Sequence, residues 1–169
     1  MNNAVRWSRV LDRARTGCKG PGAADWLSAR ALPVPAAPNT WVAGTAGAGL
    51  VARLGSSEFF IEAQPSLVAT LDAALSAAPP AVYPVLRADA AFLLEGPGVH
   101  DTLAQCCNVN FPALDLSLSQ VIMTLMIGVA VLVLPEAVGD GRRYRIWCDP
   151  SFGEHLEQQL SVIIGAAGR

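Results

Sequence analysis

The run 121–134 constrains this chain more than any other segment. It is 14 residues long and apolar except at Thr124 and Gly128. A helix that crosses a bilayer needs about 20 such residues, so this run is too short to span one. Its β-branched content (Val121, Ile122, Thr124, Ile127, Val129, Val131, Val133) and central glycine predict two buried strands, 121–126 and 129–134, joined by a tight turn. Such a hairpin needs a sheet to join.

The rest of the chain supplies one. Thr40–Ala43, 49–54 and Glu58–Ala63 read as strands, with the glycine-rich 44–49 and the turn Gly55-Ser56-Ser57 between them. Leu67, Val68, Leu71, Ala74 and Leu75 recur at helical spacing between Pro65 and Pro79-Pro80, which predicts a helix over 65–78. Strands 82–87 and 90–94 follow, and Gly96-Pro97-Gly98 opens a helix over Val99–Cys106. After the Asp140-Gly141 turn, 143–148 alternates as a strand. Asp149 then N-caps a helix over 151–164, with Phe152, Leu156, Leu160, Ile163 and Ile164 on one stripe. The order βββ-α-ββ-α-βββ-α lacks strict βαβ alternation. It excludes a doubly wound nucleotide-binding sheet and predicts an α+β fold with largely antiparallel sheets.

The first 24 residues carry a local balance of +4 from Arg6, Arg9, Arg13, Arg15 and Lys19 against Asp12. The spacing of Val5, Arg6, Arg9, Val10, Arg13 and Ala14 predicts a short amphipathic helix ending before Gly17. Three prolines in 31–39 predict an extended linker. The expected division is a basic arm and Pro-rich linker over 1–38, then one α+β domain over 39–169. Residues 1–22 lack the apolar core of a secretory signal, and the four cysteines contain no CxxC pair. These features point to reduced thiols and a cytoplasmic location.

The chain is 52% hydrophobic and 15% charged, with mean hydropathy +0.37. This excludes wholesale disorder. The low charge also suggests that part of the apolar surface is covered by a partner. A net charge of −2 argues against nucleic acid. Gly44, Gly47 and Gly49 form GxxGxG, which matches no phosphate loop, and no GxSxG elbow is present. His100 and His155 have only Gln158 and Gln159 as polar neighbours at ligand spacing. Cys106-Cys107 reads as two small buried side chains ending a helix. Glu58 and Glu62 share a strand face that reads as solvated. No complete active site, cofactor site or metal site emerges. The candidate interface aromatics are Trp41, Phe60, Phe92, Trp147 and Phe152.

Three ordered segments resemble the gamma (small) subunit of heterotetrameric sarcosine oxidase. LGSSEFFIEAQP (54–65) is similar to that family's LGPDEWLL-type strand. FLLEGPGVHDTLAQCCNVNF (92–111) is similar to its GP…KGC segment, and RYRIWCDPSFGEHLEQQL (143–160) to its YRLxVxRSFAxYLWxxL ending. The resemblance covers about 40–164. It implies the folate-binding-domain fold of the glycine-cleavage T-protein and aminomethyltransferases, as two α+β halves. It also implies a non-catalytic assembly subunit that binds no cofactor itself. Its partners would be alpha, beta and delta subunits holding FAD, FMN, NAD, tetrahydrofolate and zinc, in a complex that demethylates sarcosine or a related N-methyl amino acid. Two departures stand out. Cys106 takes the place of the family's glycine beside Cys107, and no arginine lies between Arg87 and Arg142. Two further readings stand beside this one: a folate-binding or one-carbon-transfer module, with Asp89, Glu95 and Trp147 as pterin candidates, and an isolated interaction domain.

Overall fold

The computed structural model describes residues 4–44 and 49–167. Ten strands and four helices follow in order: β1 Arg6–Arg9, β2 Ala14–Lys19, α1 Ala23–Ser28, β3 Thr40–Ala43, β4 Leu50–Leu54, β5 Glu58–Ala63, α2 Pro65–Leu75, β6 Tyr83–Val85, β7 Ala90–Glu95, α3 Val99–Cys106, β8 Ile122–Met126, β9 Val129–Val138, β10 Gly141–Cys148 and α4 Gly153–Ala167. From β3 onward the expected order holds. All neighbouring strands run antiparallel, so the α+β class is as the spacing predicts.

The chain divides into two compact units, 1–10 with 89–169, and 11–88. In the first, the sheet order is β1-β7-β10-β9-β8. α3 and α4 cover one face, where Phe92, Leu94, Leu103, Tyr144, Ile146, Leu156 and Leu160 make a core. The second unit has sheet order β3-β4-β5-β2-β6. Its core joins Leu27, Val51, Phe59, Ile61, Val68 and Leu71 under α1 and α2.

The expected arm and linker do not stand apart. Residues 6–9 and 14–19 are strands rather than an amphipathic helix, and they enter different sheets. Long-range pairing overrides the local spacing. β1 pairs with β7 in the register Arg6↔Glu95, and β2 sits between β5 and β6 with Arg15↔Glu62 opposed. Arg9 meets Glu157 at 3.2 Å. The proline-rich 31–39, expected to be an extended linker, bends and turns over 36–39, and Arg53 pins it by donating to the carbonyls of Pro35 and Ala36 at 3.3 and 2.9 Å. The Gly44–Gly49 loop keeps a backbone hydrogen bond from Gly44 N–H to Gly49 O at 2.8 Å, while Gly47 lies outside the described residues.

The β8–β9 turn places Ile127 at φ +51° and Gly128 at φ +78°. Both central residues are left-handed, as a type I′ hairpin turn requires. A β-branched residue is costly there. Tertiary contacts hold it: the Ile127 N–H donates to Cys106 O at the end of α3 (2.9 Å), and its side chain packs on the core.

Candidate subunit-docking surface

The five aromatics expected at an interface separate by burial. Phe60, Phe92 and Trp147 are closed to solvent, so none of them is an exposed anchor. Trp41 is half-buried on the edge strand β3, and its indole Nε1 is buried without a hydrogen-bond partner. Phe152 is 50% exposed in the 3₁₀ turn Pro150–Phe152, which Asp149 caps by accepting from the Ser151 N–H at 2.9 Å. Of the pterin candidates, Trp147 is closed to solvent and Glu95 is paired with Arg6 at 3.1 Å, so neither presents an open contact.

Glu62 corrects the solvated-face reading of β5. Its carboxylate is buried and accepts from Arg15 Nε at 2.9 Å. Glu58, on the same face, accepts from Arg87 at 2.6 Å. The burial is confined to the Glu62 end of that face, where Phe60 is also closed to solvent, while the Glu58 side chain stays 37% exposed.

The strand expected to be wholly buried is the one that offers a surface. β8 is an edge of its sheet, and Met123 and Leu125 are 57% and 61% exposed. Strand parity sends Ile122 and Met126 to the core under α3 and α4, and Met123 and Leu125 to the other face. Across the pair, Met123 meets half-buried Leu132 and Leu125 meets exposed Ala130. Leu118, just before β8, is 54% exposed. No charged residue lies between Asp115 and Glu136.

Soluble proteins normally blunt an edge strand with charge, proline or a bulge. β1 carries Arg6 and Arg9, and β6 carries Pro84. Neither β8 nor the shorter edge strand β3 carries any of these, and β8 has the longer regular register, five pairs with β9. Sequence reasoning missed it because both faces of β8 are apolar, which hides the alternation between inward and outward positions.

The four cysteines are free and buried. Burial pushes the thiols of Cys18, Cys106 and Cys148 up to about 11, with Cys107 adding to the effect at Cys106. Cys107 Sγ lies 3.6 Å from Thr124 Oγ1. These are packing residues, in keeping with the reading of Cys106-Cys107. At pH 8 the folded chain is expected to react with iodoacetamide at these three sites about a hundredfold more slowly than a free thiol. Peptide mapping before and after unfolding checks this. Fast labelling of Cys148 in the folded chain would contradict it.

No family model matches the chain, and no curated protein matches it in sequence. Solved structures do. One is heterotetrameric sarcosine oxidase from Corynebacterium sp. U-96 in complex with pyrrole 2-carboxylate. The match has 25% identity and TM-score 0.76, and covers 100% of this chain and 88% of that one. Another is glycine cleavage system aminomethyltransferase T from Bartonella henselae. It has 17% identity and TM-score 0.72, and the match covers 94% of this chain and 45% of that one. The chain thus has the fold of a chain of a heterotetrameric sarcosine oxidase, similar to the aminomethyltransferase folate-binding domain.

Proposed function

We propose that this chain is the gamma-type assembly subunit of a heterotetrameric, flavin-dependent sarcosine oxidase-type complex. In this reading, partner subunits of alpha, beta and delta type hold the flavins, NAD, tetrahydrofolate and zinc. They carry out the oxidative demethylation of sarcosine or a related N-methyl amino acid, and this chain contributes structure rather than catalysis. The supporting observation is the match along its whole length to a chain of a heterotetrameric sarcosine oxidase. The β8 edge supplies a docking surface of suitable chemistry. Its outer backbone N–H and C=O groups can add a partner strand, and Met123 and Leu125 offer apolar side chains beside it.

The test is co-expression of the tagged full chain with alpha-, beta- and delta-type subunits. The expected product is a yellow complex that shows flavin bands and oxidises sarcosine. The double substitution Met123→Asp with Leu125→Asp is expected to leave the circular dichroism of the isolated chain unchanged and to reduce recovery of the complex at least about tenfold. Carboxylates desolvated at an apolar interface cost several kcal/mol. A colourless wild-type chain that elutes alone overturns the assembly reading. A complex indifferent to the double substitution removes β8 as its docking surface.

A further inference from the structure

β8 ends its sheet, and the backbone groups it leaves open follow from its hairpin. Ile127 and Gly128 form the two-residue turn, so Met126 and Val129 close it as a hydrogen-bonded pair. In an antiparallel ladder such pairs alternate with pairs that exchange no hydrogen bond. Met126, Thr124 and Ile122 therefore bond β9, and Met123 and Leu125 turn their N–H and C=O groups outward. The same two residues are 57% and 61% exposed, so one short stretch presents both open backbone and apolar side chains.

A two-fold axis through Thr124 fits this pattern to a second copy of the same strand. Antiparallel pairing sets Met123 opposite Leu125 of the second copy, Leu125 opposite its Met123, and Thr124 opposite its Thr124. Each Met123–Leu125 pair exchanges both of its N–H···O=C bonds, because both residues aim their backbone groups outward. The Met123 and Leu125 side chains of the two copies fall on one face and meet as an apolar stripe, continued by Leu132 and Ala130 of β9. We propose that the free chain pairs with a second copy of itself through β8, in this register.

Charge selects the second copy as the occupant. An edge that meets its own copy doubles every charge it bears, and like charges set opposite each other repel. β1 carries Arg6 and Arg9, whereas no charged residue lies between Asp115 and Glu136. β6 carries Pro84, which has no N–H to give, and β3 is one residue shorter than β8. The pair is also closed. The two-fold axis uses up β8 in both copies, and the edge left at the far side of each sheet is the arginine-bearing β1, so growth stops at a dimer. The assembly reading gives this same edge to a partner subunit, and only the competition between the two occupants rests on that reading.

The test uses the full chain alone. Sedimentation from about 1 to about 200 μM is expected to show a monomer–dimer equilibrium with Kd on the order of 10 μM, as suits an interface below about 1,200 Å². Met123→Asp with Leu125→Asp sets carboxylates opposite each other and is expected to raise that Kd at least about thirtyfold. A second measurement reads the register. Met123→Cys and Leu125→Cys, mixed in equal amounts under mild oxidation, are expected to form a disulfide-linked dimer at least about fivefold faster than either variant alone, because only the mixture sets thiols directly opposite. The native cysteines are buried and do not compete. A wild-type chain that stays monomeric over the whole range, a dimer that survives the double Asp substitution, or cross-linking no faster in the mixture overturns the proposal. Co-expression with alpha-, beta- and delta-type subunits reports on the assembly reading separately, since it scores a flavin-bearing complex and not a pair of this chain.

Discussion

Glu62→Ala is expected to destabilise the 11–88 unit by about 3–5 kcal/mol, because it strips the carboxylate from a guanidinium shut away from water. Arg15 and Glu62 stand directly opposite each other on β2 and β5, joined at 2.9 Å, with side chains only 9% and 2% exposed. Neither charge can recover its hydration by a small rotation. For a chain of this length the loss corresponds to a drop in Tm on the order of 10 °C. The exposed pair Arg6–Glu95 is the control. Arg6 is 80% exposed, and Arg6→Ala is expected to cost less than about 1 kcal/mol. The double substitution Arg15→Met with Glu62→Met removes both charges and is expected to regain most of the stability lost in Glu62→Ala. Urea melts of the four proteins decide the matter. A double variant no more stable than Glu62→Ala would mean that the charges do more than neutralise each other.

Gly49→Ala is expected to cost a comparable amount, about 3–5 kcal/mol, by a different route. Gly49 leads into β4 at φ +72°, where an L side chain is strained. A Cβ there would stand 1.7 Å from the carbonyl oxygen of Glu62 and 2.8 Å from the Cα of Ala63, which are backbone atoms that no rotamer change can move. The neighbouring residue Leu50 pairs with Glu62, so relief means separating the end of β4 from β5. Gly55 isolates the conformational part. It has φ +79°, and a Cβ there would meet nothing within 4 Å, so Gly55→Ala is expected to cost only about 1–2 kcal/mol. Equal melting temperatures for the two alanine variants would show that the overlap at Gly49 is relieved cheaply.

From β3 to α4 the elements were legible in the sequence. Thr40–Ala43, Glu58–Ala63 and Val99–Cys106 match their expected ends, and the other elements shift by a few residues. Their signals are local: apolar spacing, Pro65 at a helix start, Gly128 at a turn. β1 and β2 were not legible. Their arginines resemble a solvated arm until Glu95, Glu157 and Glu62 arrive from distant parts of the chain. The candidate site was less legible still. Phe60, Phe92 and Trp147 are large enough to anchor a partner, and only burial assigns them to the interior. Met123 and Leu125 look like core until β8 proves to be an edge.

By itself, the sequence determined the type and order of the elements from β3 to α4, the antiparallel α+β class and the packing role of Cys106-Cys107. Each of these depends on residues within a few positions of one another. The tertiary structure alone decided which strands are neighbours, that Glu62 is buried against Arg15, and that an uncharged strand lies at an edge. Those outcomes come from pairings across tens of residues or more, where hydrogen-bond register rather than local spacing selects the partner and the side that faces out.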